Sequence, residues 1–285
     1  MDTSLLKTFL AVARVRHFGK AAEQLFVTQS AVSARIKLLE SSLGVELFTR
    51  QRNDIQLTAA GMRLIRHAET IVKGWERARQ EIALETQGAE SLAVGCPFDL
   101  WRILLCDWAT ALRRQQPQLV LQIDVQPSDI LVGRLVNGLL DLALLFEPTQ
   151  IPDLVIRQVA EIPLILVSGR ADCSLREALE KDYYMVDWGS VFALSHAEYF
   201  PEIPPPAARL ASGFLARDLI LAGGGSAYLA EQMVQQELEE GVLFRVAEAP
   251  VIERTAFATY RPGDEQRPEL KLALDALRAS AVHAQ

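Results

Sequence analysis

From Thr58 the sequence runs TAAGMRLIRHAETIVKGWERARQEIALETQG, about thirty residues without a proline. No other stretch of the 285-residue chain limits the possible folds as strongly. Leu64, Ala68, Ile71, Trp75, Ala78 and Ile82 recur at alternating steps of four and three, with Ile65 and Val72 widening the stripe. That is a heptad seam about three repeats long, and at ~1.5 Å per residue the helix spans about 45 Å. Such a rod separates whatever precedes it from whatever follows, so the chain reads as residues 1–58, a connecting helix over 59–88, and residues 89–285. A seam this apolar wants a partner. Either the helix lies on its own domain, or it pairs with a second copy as a dimerisation arm.

The segment before the rod favours the arm. Residues 2 to 16 read as a helix through Leu5, Leu6, Phe9, Leu10, Val12 and Ala13, which breaks at His17-Phe18-Gly19. The short helix KAAEQLF follows, and a tight connection through Phe26 and Val27 leads into VTQSAVSARIKLLESSLGVELF. With Thr28 as N-cap, that helix puts Val32, Ile36, Leu39 and Leu43 on one side, at spacings of four, three and four. Ser30, Ser33, Ala34, Lys37 and Ser41 collect opposite, a small, hydrogen-bonding and mildly basic face. Small alanines, Ala21 and Ala22, let the two helices approach over a turn of three to four residues, which is helix-turn-helix geometry. Beyond Gly44, VELFTRQRNDIQLT carries apolar residues around a polar tip, Arg50 to Asp54, and reads as a basic β-hairpin, a wing. An ordinary small helical bundle with a solvated serine face is the bland alternative.

Charge separates the two readings. Residues 1 to 66 hold ten Lys or Arg against five acids, a net +5, whereas the remainder carries 19 basic and 31 acidic residues, a net −12. Only the N-terminal piece can attract a polyanion. The functional reading is therefore a helix in a DNA major groove with the wing on the backbone or minor groove. Gln29 can bond adenine bidentately, Thr28, Ser30 and Ser33 can address base edges or phosphate, Arg35 and Lys37 can neutralise phosphates, and Arg50 and Arg52 are the wing contacts. A dimer through the rod implies a two-fold, palindrome-like site on double-stranded DNA.

After Gly88 the pattern alternates strands and helices: SLAVG, a helix from Asp99 to Gln115, VLQIDVQ, a helix around ILVGRLVNG, then DLALLF. A second set runs through IPLILVS, a short helix near Leu175, YYMVDW, a proline-rich loop at 204 to 206, RLAS, FLARDLILAGG, SAYLA and VLFRV. RTAFATY and a helix from Pro268 close the chain. Alternation of this kind argues a parallel α/β sheet in two lobes. Crossings near residues 161 and 265 make lobe I residues 89–161 and 265–285, and lobe II residues 162–264. A cleft between the strands' carboxyl ends follows. The residues just past strands are its candidate lining: Cys96, Pro97, Phe98 and Asp99; Gln126 and Ser128; Phe146 and Glu147; Asp187 to Ser190; Ala211 and Ser212; Ser226 to Tyr228. Asp99, Glu147 and Asp187 make that cleft acidic, which disfavours an anionic effector and leaves a neutral or cationic one, or none.

The run FLAVARVRHFGKAAEQLFVTQSAVSARIKLLESSLGVELFTRQRNDIQLTAAG resembles the winged-helix domain of LysR-type transcriptional regulators, with AA-x-x-L, TQSAVS, LE-x-x-LG, LF-x-R and LT-x-AG in order. The opening and the combination RIKLLE, LFTRQRN resemble in particular the HdfR branch, repressors of the flagellar master operon. Gln29, Ser30 and Ser33 match the family's motif, whereas Ala34 and Arg35 stand where typical members have Arg then Gln. The resemblance implies a fold class of α/β with an N-terminal all-α winged helix-turn-helix, a long linker helix and a two-lobed effector domain similar to periplasmic binding proteins. It also implies a tetramer made of two dimers, with RNA polymerase as a partner; the cytoplasmic location and the expectation of no membrane partner come from the sequence itself, which shows neither a leader-like start nor a spanning segment.

No catalytic residue, cofactor or metal is expected. GGGS at 223 to 226 has no following Lys-Ser/Thr, and the glycines read as the end of one helix and the approach to a strand. The four histidines lack any zinc spacing, and Ser195-His196 lacks a nucleophile elbow. Three cysteines without a CxxC argue for reduced thiols, with Cys96 or Cys173 as a redox sensor the remaining use of a thiol. The first residues lack a leader-like apolar run, and no stretch reaches the ~18 apolar residues of a membrane span. The competing function is a small-molecule-binding α/β protein or enzyme whose N-terminal helices serve only as an oligomerisation arm. Salt-dependent duplex binding separates the two.

Overall fold

The computed structural model describes residues 2–51, 54–86 and 88–283, and the chain forms two compact units, residues 1–88 and 89–285. In the first unit α1 (Thr3–Val15) is capped by Asp2, whose side chain accepts from the Ser4 amide, and it closes at Arg16 in the left-handed region. His17 caps α2 (Phe18–Gln24) through its ring nitrogen. Thr28 caps α3 (Gln29–Leu43), and Gly44, at φ 70°, ends it in a conformation that glycine adopts without cost. Leu5, Leu6, Phe9 and Val12 of α1 meet Val32, Ile36 and Leu39 of α3 and Ala21 and Ala22 of α2 in one core. Leu43 is an exception to the expected stripe. It is 44% exposed, because the helix runs past the edge of its own core.

Strands β1 (Phe48–Gln51) and β2 (Asp54–Leu57) pair antiparallel, Phe48 opposite Leu57, as a hairpin. Glu40 fixes its base by accepting from the Leu47 and Phe48 amides at 2.8 and 3.3 Å. Thr58 donates to the Glu46 carbonyl and accepts from the Gly61 amide, so one hydroxyl joins the hairpin's end to the start of α4 (Ala59–Glu85). Gly61 is obligatory there, since any Cβ would collide with the Leu47 carbonyl and the Leu57 side chain. The apolar residues of α4 divide. Ala68 and Val72 are buried in the helix-turn-helix core, with Leu64 and Ile65 packed against it, while Ile71, Trp75 and Ile82 are 42, 52 and 62% exposed. The expected single seam is thus corrected at Leu64 and Ala68, which face α4's own unit rather than a partner. α1 packs along α4, adding the Lys7–Glu76 ion pair at 2.7 Å.

The second unit opens with β3 (Ser91–Cys96). The helix behind it begins as α5 (Phe98–Leu100), passes through a π-helical turn (Trp101–Leu105) and continues as α6 (Cys106–Gln115). β4 (Val120–Val125) and β5 (Leu142–Leu145), joined through α7 (Ser128–Val136), flank β3 in parallel, the geometry expected of a right-handed β-α-β unit. The expectation of a parallel sheet fails beyond that point. β6 (Val155–Ser168) leaves lobe I and β11 (Ile252–Tyr260) returns beside it, so the two must run antiparallel, and the main sheet is a mixed seven-stranded one in the order β10 (Phe244–Arg245), β6, β11, β5, β3, β4, with β9 (Ser226–Ala230) on β6. Phe257 to Thr259 already pair with β5, so the return crossing lies in β11, ahead of residue 265.

Lobe II contains α8 (Leu175–Glu180), β7 (Tyr184–Val186), α9 (Ser190–Tyr199), β8 (Ala208–Leu210), α10 (Gly213–Gly223), β9 (Ser226–Ala230), α11 (Glu231–Glu239) and β10 (Phe244–Arg245). Helices α9 and α11 had no clear signature in the sequence. α12 (Pro268–His283) packs back on α6 and β6, where the Trp108 indole donates to the Ala273 carbonyl at 3.0 Å. Asp141, fully buried, accepts from the Ala93 amide and from Arg267, tying β3, β5 and α12's approach together.

Candidate nucleic-acid interface and effector cleft

Helix α3 presents an open N-terminal face. Thr28, Gln29, Ser30 and Lys37 are exposed, and Ser33 is half-buried. Thr28 spends its hydroxyl on the cap, accepting from the Ala31 amide at 3.2 Å, with Ser30 Oγ 2.9 Å away. Its role is therefore to hold the helix start, where free amides and the positive end of the dipole favour a phosphate. Arg35 is placed differently from its expected role. Its guanidinium reaches back to Thr8 Oγ1 at 3.4 Å, because the residue lies between the outer face of α3 and the groove toward α1. Arg50 lies in β1, with only its backbone described, and Arg52 lies outside the described residues.

Sequence reasoning missed Phe26. Its ring is 96% exposed and its backbone sits at φ 54°, two unfavourable features in one residue. It occupies the turn that enters α3, two residues before Thr28. A large apolar residue at a turn where Gly or Asn is the unstrained choice was the available signal.

In the second unit the residues expected to line one cleft separate into three groups. Asp99, Phe98, Phe146, Glu147, Ser190 and Ser212 do meet between the lobes. Asp99 accepts from Ser212 Oγ at 2.6 Å and from the Gly213 amide at 3.3 Å. Burial pushes its carboxyl above the ordinary carboxylate value, with the Ser212 and backbone hydrogen bonds opposing. Glu147 accepts from the Val191 amide at 2.9 Å and from Arg254 Nη2 at 3.1 Å. Burial raises its carboxyl, but amides of Val191 and Ser190 together with the Arg254 guanidinium outweigh this and hold it below the usual value. The Phe98 and Phe214 rings meet edge to face at 5.8 Å, and those of Phe146 and Trp188 at 6.0 Å.

A second group is buried away from any opening. Cys96 is fully buried, and burial pushes its thiol up to about 12, the reverse of what a thiolate sensor needs. Ser226 donates to the Ala178 carbonyl beneath α8, and Tyr228 donates to the Pro250 carbonyl at 3.0 Å, so both serve lobe II's interior. These three corrections share one cause: β3 and β9 are covered on both faces, and strand-end side chains alternate between core and cleft. Pro97 precedes α5, and Gln126 and Ser128 flank the start of α7.

Asp187 belongs to the third group. It lines an open groove of about 1050 Å³ wholly within lobe II, between β7, β8, α9 and the loop at 203–206, with Trp188, Phe192, His196 and Phe200. His196 is buried there, its Nε2 2.8 Å from the Tyr183 hydroxyl, and burial lowers its imidazole's affinity for a proton. The glycines at 223 to 225 end α10 and enter β9, as expected.

Residues 3–62 match the bacterial regulatory helix-turn-helix proteins of the lysR family, and residues 85–282 match the LysR substrate binding domain. The chain is 37% identical over 283 residues to the HTH-type transcriptional regulator HdfR of Yersinia enterocolitica, covering 96% of this chain and 95% of that protein. It is 36% identical over 283 residues to HdfR of Yersinia pestis, with the same coverage. The fold is shared with CbnR, a LysR family transcriptional regulator, at a TM-score of 0.80 and 22% identity over 99% of both chains. Full-length CbnR in complex with its target DNA gives 0.81 at 22% identity over 99% of this chain and 100% of that one. The motifs, the fold and these matches agree: the chain belongs to the LysR family of DNA-binding transcriptional regulators, a helix-turn-helix domain followed by a substrate-binding domain.

Proposed function

We propose that this regulator binds a palindrome-like operator as a dimer held by α4, two dimers forming a tetramer, with the N-terminal face of α3 in the major groove. The exposed Gln29, Ser30 and Lys37, with the half-buried Ser33 between them, on a helix with a capped start are the observation that carries this reading. Gln29 reads a base edge, Ser30 and Ser33 address bases or phosphate, Lys37 neutralises phosphate, and Arg50 and Arg52 of the wing take the flanking backbone. Arg35 is reassigned to positioning, since it braces α3 on Thr8. Phe26 is added to the interface: an exposed ring in a strained turn beside the α3 start is explained by a partner that covers it, and a deoxyribose or thymine methyl offers matching apolar surface.

Ile71, Trp75 and Ile82, the exposed part of α4, form the dimer seam, with Ala78 between them. The interlobe cleft is the place from which a signal would reach the DNA-binding unit, and RNA polymerase is the protein partner on which regulation would act, in the bacterial cytoplasm. Likeness to HdfR makes the flagellar master operon the first target to examine. The deciding experiment is selection of fragments of the source genome by the purified protein at near-physiological salt, followed by sequencing. Recovery of a few sites sharing an interrupted palindrome is the expected result. Uniform recovery would overturn the sequence-specific reading.

A further inference from the structure

Two dipeptides of lobe I do the same thing at two places. Phe98-Asp99 follows β3 and Phe146-Glu147 follows β5, both at strand carboxyl ends that face lobe II. In each, the aromatic ring packs edge to face on a lobe II ring: Phe98 on Phe214, and Phe146 on Trp188. In each, the neighbouring acid sits on the N-terminus of a lobe II helix. Asp99 accepts from Ser212 Oγ and the Gly213 amide at the start of α10, and Glu147 from the Val191 amide at the start of α9.

Free amides at a helix start, combined with the positive end of its dipole, are where a bound carboxylate or phosphate belongs. The Glu147 position carries an independent mark of an anion site. Arg254, on the crossing strand β11, is 2% exposed, lies over the Phe146 ring, and gives Nη2 to Glu147, while its Nε has no acceptor among the described residues. A buried guanidinium with unused donor capacity is matched to an anion with more than one oxygen to offer. Gly189, at φ 91°, completes the space, since a Cβ there would lie 2.6 Å from Glu147 Oε1 and 3.0 Å from Arg254 Nη2.

We propose that Asp99 and Glu147 are built-in ligands: the chain's own carboxylates fill the two anion subsites of the interlobe cleft, latch the lobes together, and exclude small anionic effectors. This rests on the reading of that cleft as the signalling site. The latched arrangement needs no effector to close, so these two acids set the specificity of the cleft by occupying it. A neutral or cationic molecule acts only by prising an acid from its helix.

The test is rescue of a deleted carboxylate by a free one in the full-length protein. Glu147→Ala removes the acid from a half-exposed position and leaves the α9 amides and Arg254 facing an opening. Its Tm should fall, and sodium formate, against sodium chloride at equal ionic strength, should raise it saturably. For a dissociation constant of about 10 mM, 0.1 M formate multiplies the folding equilibrium constant about tenfold. That corresponds to a Tm gain of about 3–6 °C in a unit of this size. Wild type and Glu147→Gln, where the position stays filled, should show no formate-specific gain. Absence of a gain in Glu147→Ala, or an equal gain in wild type, overturns the proposal. Asp99→Asn against Asp99→Ala repeats the comparison at α10, so misfolding of one variant leaves the other to decide. Footprinting of the same variants on the selected operator separates the two readings. Formate rescue with an unchanged footprint supports the latch and removes the cleft's signalling role, whereas absent rescue removes the latch whatever the footprint shows.

Discussion

Replacing Phe26 by glycine should stabilise the free protein and weaken it on DNA. The residue stands at φ 54°, where a non-glycine residue costs ~1–2 kcal/mol. Glycine removes that strain but adds unfolded-chain freedom worth ~0.5–1 kcal/mol. The ring makes almost no contact to lose, being 96% exposed. The balance is a net gain of about 0.5–1 kcal/mol. In the 88-residue N-terminal unit this raises the Tm of its transition by roughly 2–8 °C. On the operator the sign reverses. Covering half of a Phe side chain removes about 100 Å² from water, and at ~25 cal/mol per Å² this is ~2.5 kcal/mol. Interface ordering takes part of that, leaving a loss of at least about tenfold in affinity. Thermal unfolding of the full-length variant, with fluorescence anisotropy on a labelled operator duplex, reads both quantities. Phe26→Ala separates them, since it removes the ring but keeps the strained backbone: affinity should fall without the gain in Tm. Glycine binding the operator as tightly as wild type would show that the ring touches no DNA, and a lowered Tm would show that the turn is not strained.

Further outcomes follow from the same geometry. Arg52→Ala should reduce the slope of log affinity against log salt by about one, whereas Gln29→Ala should relax base preference at one position of each half-site; a salt slope and a site selection measure the two. Gly61→Ala places a methyl against the Leu47 carbonyl and should destabilise the N-terminal unit by about 2 kcal/mol or more, seen as a lower denaturant midpoint. Trp75→Glu, on the exposed side of α4, should dissociate the dimer at micromolar concentration without lowering helix content, as read by sedimentation and circular dichroism. Burial holds the His196 imidazole below its ordinary value of 6.5. The unfolded chain therefore takes up a proton that the folded lobe does not, and stability present above about pH 6.5 is lost as pH falls. His196→Gln should flatten that part of the stability–pH curve.

Local chemistry made much of this molecule legible. The cap at Thr28, the break after Gly44, and the apolar periods of α1, α3 and α4 are properties of short segments. The helix-turn-helix, the wing, the rod and most strands could therefore be placed from residues alone. That Gln29, Ser30 and Lys37 stay open to solvent was readable for the same reason, since one helix's periodicity decides which side is buried. Arg35 was misplaced because its destination, Thr8, lies 27 residues away on another helix. Leu64 and Ala68 were misplaced because α4 is covered by α1 over its first half and bare over its second, which no repeat in α4 encodes.

The second unit shows the boundary more sharply. Sequence alternation announces α/β units, but strand direction depends on where the chain crosses between lobes, and β6 and β11 run antiparallel because one leaves and the other returns. Strand ends announce candidate cleft residues, but which ones face the cleft depends on which sheet face is covered, and that buried Cys96, Ser226 and Tyr228 while bringing Asp99 and Glu147 to lobe II. The sequence by itself determined most of the elements and the net basic charge of the N-terminal piece, because those are sums over nearby residues. Only the tertiary structure decided that the acids face helix starts, because a hydrogen bond between Asp99 and Ser212, 113 residues apart, exists only once both lobes are in place.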